Sequence, residues 1–159
     1  MAGSDVKVRL CFQATRENLP RVRALVEAAL ENDPSGSFSR EERKEILLGI
    51  QEALSNTSRH GGNPAAKLSF QIGNRRFEAR LSDQGDAFDP SAVKLPDPEY
   101  PPEHGYGLIL LRRTMDRIRF ERRNGRNLLL LERTARGHPP RNGSSPSGVP
   151  ADESRTGRG

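Results

Sequence analysis

Hydrophobic and polar residues alternate without a break from Val6 to Gln13: Val6, Val8, Leu10 and Phe12 on one side, Lys7, Arg9, Cys11 and Gln13 on the other. Period two is that of a strand with one buried face. The period then lengthens. Leu19, Val22, Val26, Ala29 and Leu30 keep helical spacing and predict a helix from about Asn18 to Leu30. Pro20 fits because it lies in the first turn, where its missing N–H has no partner to lose. Asn32 to Gly36 reads as a loop. Ser39-Arg40-Glu41-Glu42 has the capping-box pattern that opens a helix. Ile46, Leu47, Ile50, Ala53 and Leu54 form the apolar stripe of that second helix. It ends at His60-Gly61-Gly62, where glycine accepts the left-handed conformation of a helix C-terminus.

Alternation resumes in Leu68, Phe70 and Ile72, with Gly73-Asn74 as the predicted tight turn and Phe77, Ala79 and Leu81 on the return strand. Residues 84–104 are rich in Asp, Pro and Gly and carry little periodicity, which suits a lid or binding segment. A third helix starts near Gly107 and carries Leu108, Ile109, Leu111 and Met115. Ile118 and Phe120 alternate in a strand, Asn124-Gly125 signals a hairpin, and Leu128–Leu131 form the last strand. After Thr134 the chain is Gly, Pro, Ser and Arg, with little to bury. The expected organisation is one domain over residues 1–134 and a disordered tail over 135–159, with no internal repeat.

Composition narrows the class. A chain of 159 residues suits one core, and 33% hydrophobic against 30% charged residues agrees with a partly disordered chain. No apolar run approaches the ~20 residues of a membrane span, and no basic-then-apolar leader is seen at the start. The single cysteine, Cys11, excludes an internal disulfide framework and a Cys-based zinc site. A soluble cytoplasmic protein is expected. The net charge of +5 includes a crowd of arginines between Arg112 and Arg126. Such a cluster attracts nucleic acid or an acidic partner, or is simply a solvated surface. No zinc-finger spacing or aromatic RNA-binding signature accompanies it, so nucleic acid is not the expected partner.

Three groups of residues carry candidate chemistry. Glu45, Gly49, Glu52 and Asn56 are spaced i, i+4, i+7, i+11 and form one stripe on the second helix. It lies roughly 120° from the apolar stripe, so Glu52 and Asn56 can edge a cleft while the helix packs on a sheet. Asp83 shares the parity of Phe77, Ala79 and Leu81 and therefore points to the covered side. A buried carboxylate needs donors, either a ligand's amino group or its own turn, and Gly85 permits close approach. His104-Gly105-Tyr106-Gly107 opens a helix, as an anion seat at exposed N–H groups or as a flexible entry.

In this order the stretches resemble the GHKL ATPase and kinase superfamily, and within it the bacterial anti-sigma factor serine kinases. The similar stretches are Glu52-Ala-Leu-Ser-Asn56-Thr-Ser-Arg-His60-Gly61, Asp83-Gln-Gly85-Asp-Ala-Phe88-Asp89-Pro90 and Gly105-Tyr-Gly107-Leu-Ile-Leu-Leu-Arg-Arg-Thr-Met115-Asp116. The resemblance runs from about Val6 to Thr134. It implies an α/β (α+β) two-layer sandwich, with a mixed, mostly antiparallel sheet covered on one face by helices and ATP held between the layers. It further implies that Asp83 bonds the adenine amino group, that Gly85 lets the base approach, and that Asn56 supplies an oxygen to Mg²⁺. Gly105 and Gly107 would hold the phosphates under a lid of residues 91–104, and Glu52 would deprotonate a serine or threonine hydroxyl on a partner. The implied function is a serine/threonine kinase that phosphorylates an anti-sigma factor antagonist of STAS type, sequesters a sigma factor and forms a homodimer.

Three positions depart from the pattern. Tyr106 stands where relatives often have Arg, the lid contains no Arg, and Asn127–Leu131 lacks the Thr that often supports the adenine site. The alternatives these leave are an ATP-binding switch of the same fold with little kinase activity, and a basic nucleic-acid-binding module.

Overall fold

Ser39 begins the longest helix as its sequence pattern predicts. Its hydroxyl accepts the Glu42 backbone N–H at 3.1 Å, and the Glu42 carboxylate accepts the Ser39 N–H at 2.8 Å. At the other end Gly62 takes the left-handed conformation, φ 62° and ψ 44°. The computed structural model describes residues 5–88 and 106–137. Its elements are β1 (Val6–Gln13), α1 (Asn18–Glu31), α2 (Arg40–Gly61), β2 (Ala65–Gly73), β3 (Arg76–Asp83), α3 (Tyr106–Thr114), β4 (Arg117–Arg123) and β5 (Arg126–Thr134).

The strands form one five-stranded sheet in the order β1-β2-β3-β5-β4. Each pairing is antiparallel, so the parallel pair that a mixed sheet would contain is not found among the described residues. The reason is topological. After β3 the chain passes through α3 to the far edge as β4, then returns by a hairpin as β5 between β3 and β4. The inserted strand runs opposite to both neighbours.

Helices α1, α2 and α3 pack on one face of the sheet, giving the two-layer α+β architecture, with α2 in contact with both other helices. Ile46, Ile50 and Leu54 from α2 meet Leu68, Ile72, Phe77 and Leu131 from the sheet, all at most 1% exposed. Burial of each such side chain contributes about 2 kcal/mol. Ala135 also lies in the core, and the backbone N–H of Arg136 reaches the Glu42 carboxylate, so the packed chain continues past the expected boundary at Thr134. The expected tail lies, from residue 138 onward, outside the described residues.

The two hairpins differ in legibility. Asn124 and Gly125 form the β4–β5 turn with φ of 52° and 71°, as their sequence predicts. The β2–β3 turn is Asn74-Arg75, not Gly73-Asn74: Gly73 pairs with Arg76, and Asn74 and Arg75 have φ of 47° and 62°. The left-handed conformation costs a residue such as Arg75 about 1 kcal/mol. Two hydrogen bonds offset it: Ala135 N–H donates to the Arg75 carbonyl at 2.8 Å, and the Arg75 guanidinium donates to the Ala135 carbonyl at 3.1 Å.

The other sheet face has no helical cover among the described residues. It displays Arg9 and exposed Cys11 on β1, Ser69 on β2, Arg80 on β3, Leu128 and Leu130 on β5 and Arg119 on β4. Among the described residues no helix is long and apolar enough to cross a membrane.

Candidate nucleotide site

The stripe of Glu45, Gly49, Glu52 and Asn56 faces α3. A Cβ on Gly49 would lie 2.5 Å from Met115 Cε and 2.7 Å from Thr114 Oγ1. A Cβ on Gly107 would lie 2.6 Å from Glu52 Oε2 and 3.6 Å from Asn56 Oδ1. Two glycines, one on each helix, thus allow close packing at both ends of α3. The outcome is specific. The first turn of α3, the positive end of its dipole, sits against the side-chain oxygens of Glu52 and Asn56.

The sheet side of the cleft ends at Asp83, which is 7% exposed. Oδ1 accepts the Gly85 N–H at 2.8 Å and the Asn127 side-chain amide at 2.9 Å. Among the described residues Oδ2 accepts only a long bond from the Thr57 hydroxyl, 3.4 Å, which leaves it capacity for a further donor. Of the two readings left open by the sequence, the bond to its own turn is present, and Asp83 also lines the cleft. Gly85 also passes Gly61 at the end of α2; a Cβ on Gly85 would come within 2.6 Å of the Gly61 Cα. Close backbone approach is what glycine permits here.

Between these two ends runs a cleft of about 40 Å³ lined by Asn56, Thr57, Asp83, Phe88, Phe120 and Asn127, among others. Phe88 and Phe120 meet edge to face across its wall, ring centroids 5.6 Å apart. A volume of that size holds a few waters, so a ligand as large as a nucleotide base requires this wall to give.

Sequence reasoning placed Glu52, Asn56, Asp83, Gly85 and Gly107 at the site; Asn56 and Asp83 line the cleft, while Gly107 packs against Glu52 and Asn56 at one end and Gly85 against Asp83 at the other. Gly105 and the lid of residues 91–104 lie outside the described residues. Three participants were missed. Thr57 follows Asn56 and turns toward Asp83. Asn127 pairs with Asp83 in register and holds its carboxylate, in the strand that lacks the expected Thr. Arg122 donates to the Asn127 amide oxygen at 2.8 Å and to the Gly85 carbonyl at 3.2 Å, tying the turn after β3 to β4. The inward parity of β5 was a usable signal for Asn127, but only once its pairing with β3 was known.

A second buried polar group stabilises the far end of α3. Arg133, 1% exposed, forms an ion pair with Glu45 and donates to the Thr114 carbonyl at 3.0 Å. Nearby, Glu42 is 6% exposed. Burial pushes its carboxyl up, but the backbone N–H groups of Ser39 and Arg136, the Ser39 side chain and the Arg133 charge outweigh this and hold it below the usual range.

The cleft is chemically legible: a carboxylate acceptor at one end, carboxylate and amide oxygens at the other, and a helix N-terminus beside them. These suit an amino group, a hard cation and an anion, respectively. The family model for the histidine kinase-like ATPase domain matches residues 12–133. The serine/threonine-protein kinase BtrW of Bordetella bronchiseptica is 33% identical over 96 residues, which are 54% of this chain and 66% of that protein. The chain thus covers just under two thirds of that relative. Among solved structures, the RsbU and RsbW domains of Rv1364c from Mycobacterium tuberculosis match with a TM-score of 0.58 at 16% identity, over 84% of this chain and 35% of that one. At that identity the likeness is one of fold.

Proposed function

The chain belongs to the histidine kinase-like ATPase domain family, and from that premise we propose that it is a cytoplasmic serine/threonine kinase of the anti-sigma-factor type. Its cofactors are ATP and Mg²⁺. The observation that carries this reading is the approach of Gly107 to Glu52 and Asn56, which puts a prospective base, a metal-binding oxygen and an anion-binding helix end together. The residues fit the cofactor at its other end as well. Asp83 Oδ2 is a buried acceptor with one weak partner among the described residues, suited to the amino group of adenine and mismatched to the carbonyl of guanine.

Bound Mg²⁺–ATP supplies the transferable phosphoryl group, its charge neutralised by the metal. Asn56 would contribute a hard oxygen to the metal, and the N–H groups at the start of α3 would hold phosphate; the expected part of Gly105 lies outside the described residues. Glu52 would orient the attacking hydroxyl and take its proton, the new bond to phosphorus forming as the bond to the departing ADP oxygen breaks. The substrate in this reading is a serine or threonine of an anti-sigma factor antagonist of STAS type, with sigma-factor sequestration and homodimerisation as accompanying properties. Its support is the motif resemblance together with a relative named as a serine/threonine kinase.

Calorimetric titration with Mg²⁺–ATP and Mg²⁺–GTP tests the premise. Binding of ATP alone, abolished in Asp83→Ala, is expected. No heat at millimolar ATP would sink the catalytic reading. A second reading, an ATP-binding switch with little transfer, draws support from the absence of arginine in residues 91–104 and from Tyr106, 48% exposed between the two glycines. Binding without transfer to any STAS-type protein would favour it.

A further inference from the structure

The uncovered face of the sheet carries a row of residues that the nucleotide site does not use. In register across the strands run Arg9, Ser69, Arg80, Leu130 and Arg119. Arg9 and Arg119 have no ion pair among the described residues. Arg80 is paired with Glu78 at 3.3 Å, and its side chain remains 62% exposed. A guanidinium has five donors, and an exposed pair of this kind is weak, so Arg80 retains most of its binding capacity. Because Ser69 is small, a shallow depression of about 240 Å³ opens between Arg9 and Arg80, with Gln71 and Glu78 along its side. Further along the row Leu130, with Leu128 beside it on the same strand, is half-buried between Arg80 and Arg119.

We propose that this face docks an acidic helix of a partner protein, laid across the strands. The spacing supports a helix. Strands lie ~4.8 Å apart, so the step from Ser69 to Leu130 is ~9.6 Å and that to Arg119 ~14 Å. Helix residues at i, i+7 and i+11 share one face and are separated by ~10.5 and ~16.5 Å. A carboxylate at i enters the depression over Ser69 between Arg9 and Arg80, an apolar residue at i+7 covers Leu130, and a carboxylate at i+11 meets Arg119. The face disfavours nucleic acid. It presents no aromatic residue for base stacking among the described residues, and Glu78, Glu121 and Glu132 interrupt any phosphate track.

The test is nuclear magnetic resonance titration of the full chain with a helical peptide carrying Glu at i, Leu at i+7 and Glu at i+11. Amide shifts are expected at Ser69, Arg80, Leu130 and Arg119 and not around Asp83. Arg80→Glu and Arg119→Glu should each weaken binding roughly tenfold by fluorescence anisotropy, with Arg80→Lys close to wild type and ATP binding unchanged. Leu130→Ser should weaken it by a smaller factor. Shifts that cluster elsewhere, or equal binding by the reversed-charge variants, would overturn the proposal. So would tighter binding of a duplex DNA oligonucleotide than of the peptide, or a dimer in sedimentation that the Arg80→Glu variant dissociates.

Discussion

Asp83 and Asn127 stand directly opposite each other on the neighbouring strands β3 and β5, joined by an amide-to-carboxylate hydrogen bond of 2.9 Å. The bond holds a carboxylate that lines the cleft. A hydrogen bond to a charged group contributes about 1.5–3 kcal/mol. Asn127→Ala should therefore weaken ATP binding by roughly tenfold or more in calorimetry, and Thr57→Val by less, because its bond is longer. Unchanged affinity in Asn127→Ala would mean that the Gly85 N–H alone is sufficient to position Asp83.

Glu52 is tested by separating binding from transfer. Glu52→Ala should keep ATP affinity within a few-fold and lose about 10²–10⁴-fold in phosphotransfer. Radiolabelled transfer to a STAS-type antagonist is the readout. Transfer at the wild-type rate would remove Glu52 from the role of base.

Gly107→Ala separates stability from activity. Alanine is the better helix former by about 1 kcal/mol. Its methyl would nevertheless meet Glu52 Oε2 at 2.6 Å and displace the carboxylate. Thermal melting should show little or no loss of stability, while phosphotransfer falls sharply. A fully active Gly107→Ala would show that the contact between α3 and Glu52 is not needed for catalysis.

The Arg133–Glu45 pair is asymmetric: the Arg133 side chain is 1% exposed and that of Glu45 39%. Removing the exposed partner leaves a buried cation without its close ion pair, with the Thr114 carbonyl, Asp116 at 3.9 Å and the more distant charge of Glu42 around it. Removing the buried partner leaves a carboxylate with access to water. Glu45→Ala should thus cost about 3 kcal/mol in urea unfolding, and Arg133→Met distinctly less, since methionine refills the space. The reverse order would mean that packing around Arg133, rather than its charge, dominates.

Glu42 gives a pH dependence of known sign. Its carboxyl is held below the ordinary glutamate value of 4.5 in the folded chain. Folding therefore favours the ionised form: the stabilisation is complete above that value and is lost as pH falls through the lowered one. Unfolding free energy followed from pH 6 downward should drop more steeply in wild type than in Glu42→Gln. Parallel curves would show that Glu42 ionises alike in the folded and unfolded chain.

Much of this protein was determined locally. The period-two run at Val6–Gln13, the Ser39–Glu42 capping box, the glycine end of α2 and the Asn124-Gly125 turn each encode their element within a few residues, because hydrogen bonds and φ preferences act at that range. The stripe of Glu52 and Asn56 and the inward parity of Asp83 were legible for the same reason. Other features depend on which distant segments meet. That β5 inserts between β3 and β4 made both of its own pairings antiparallel and set Asn127 against Asp83. The return of Ala135 to Arg75 accompanies a turn at Asn74-Arg75 that glycine preference would have placed one residue earlier. The burial of Arg133 beneath α3, the contact of Gly107 with Glu52 and the arginine row across the open sheet face were likewise decided by the tertiary structure. Their partners lie far apart in the chain, and no periodicity within one segment records the register of another.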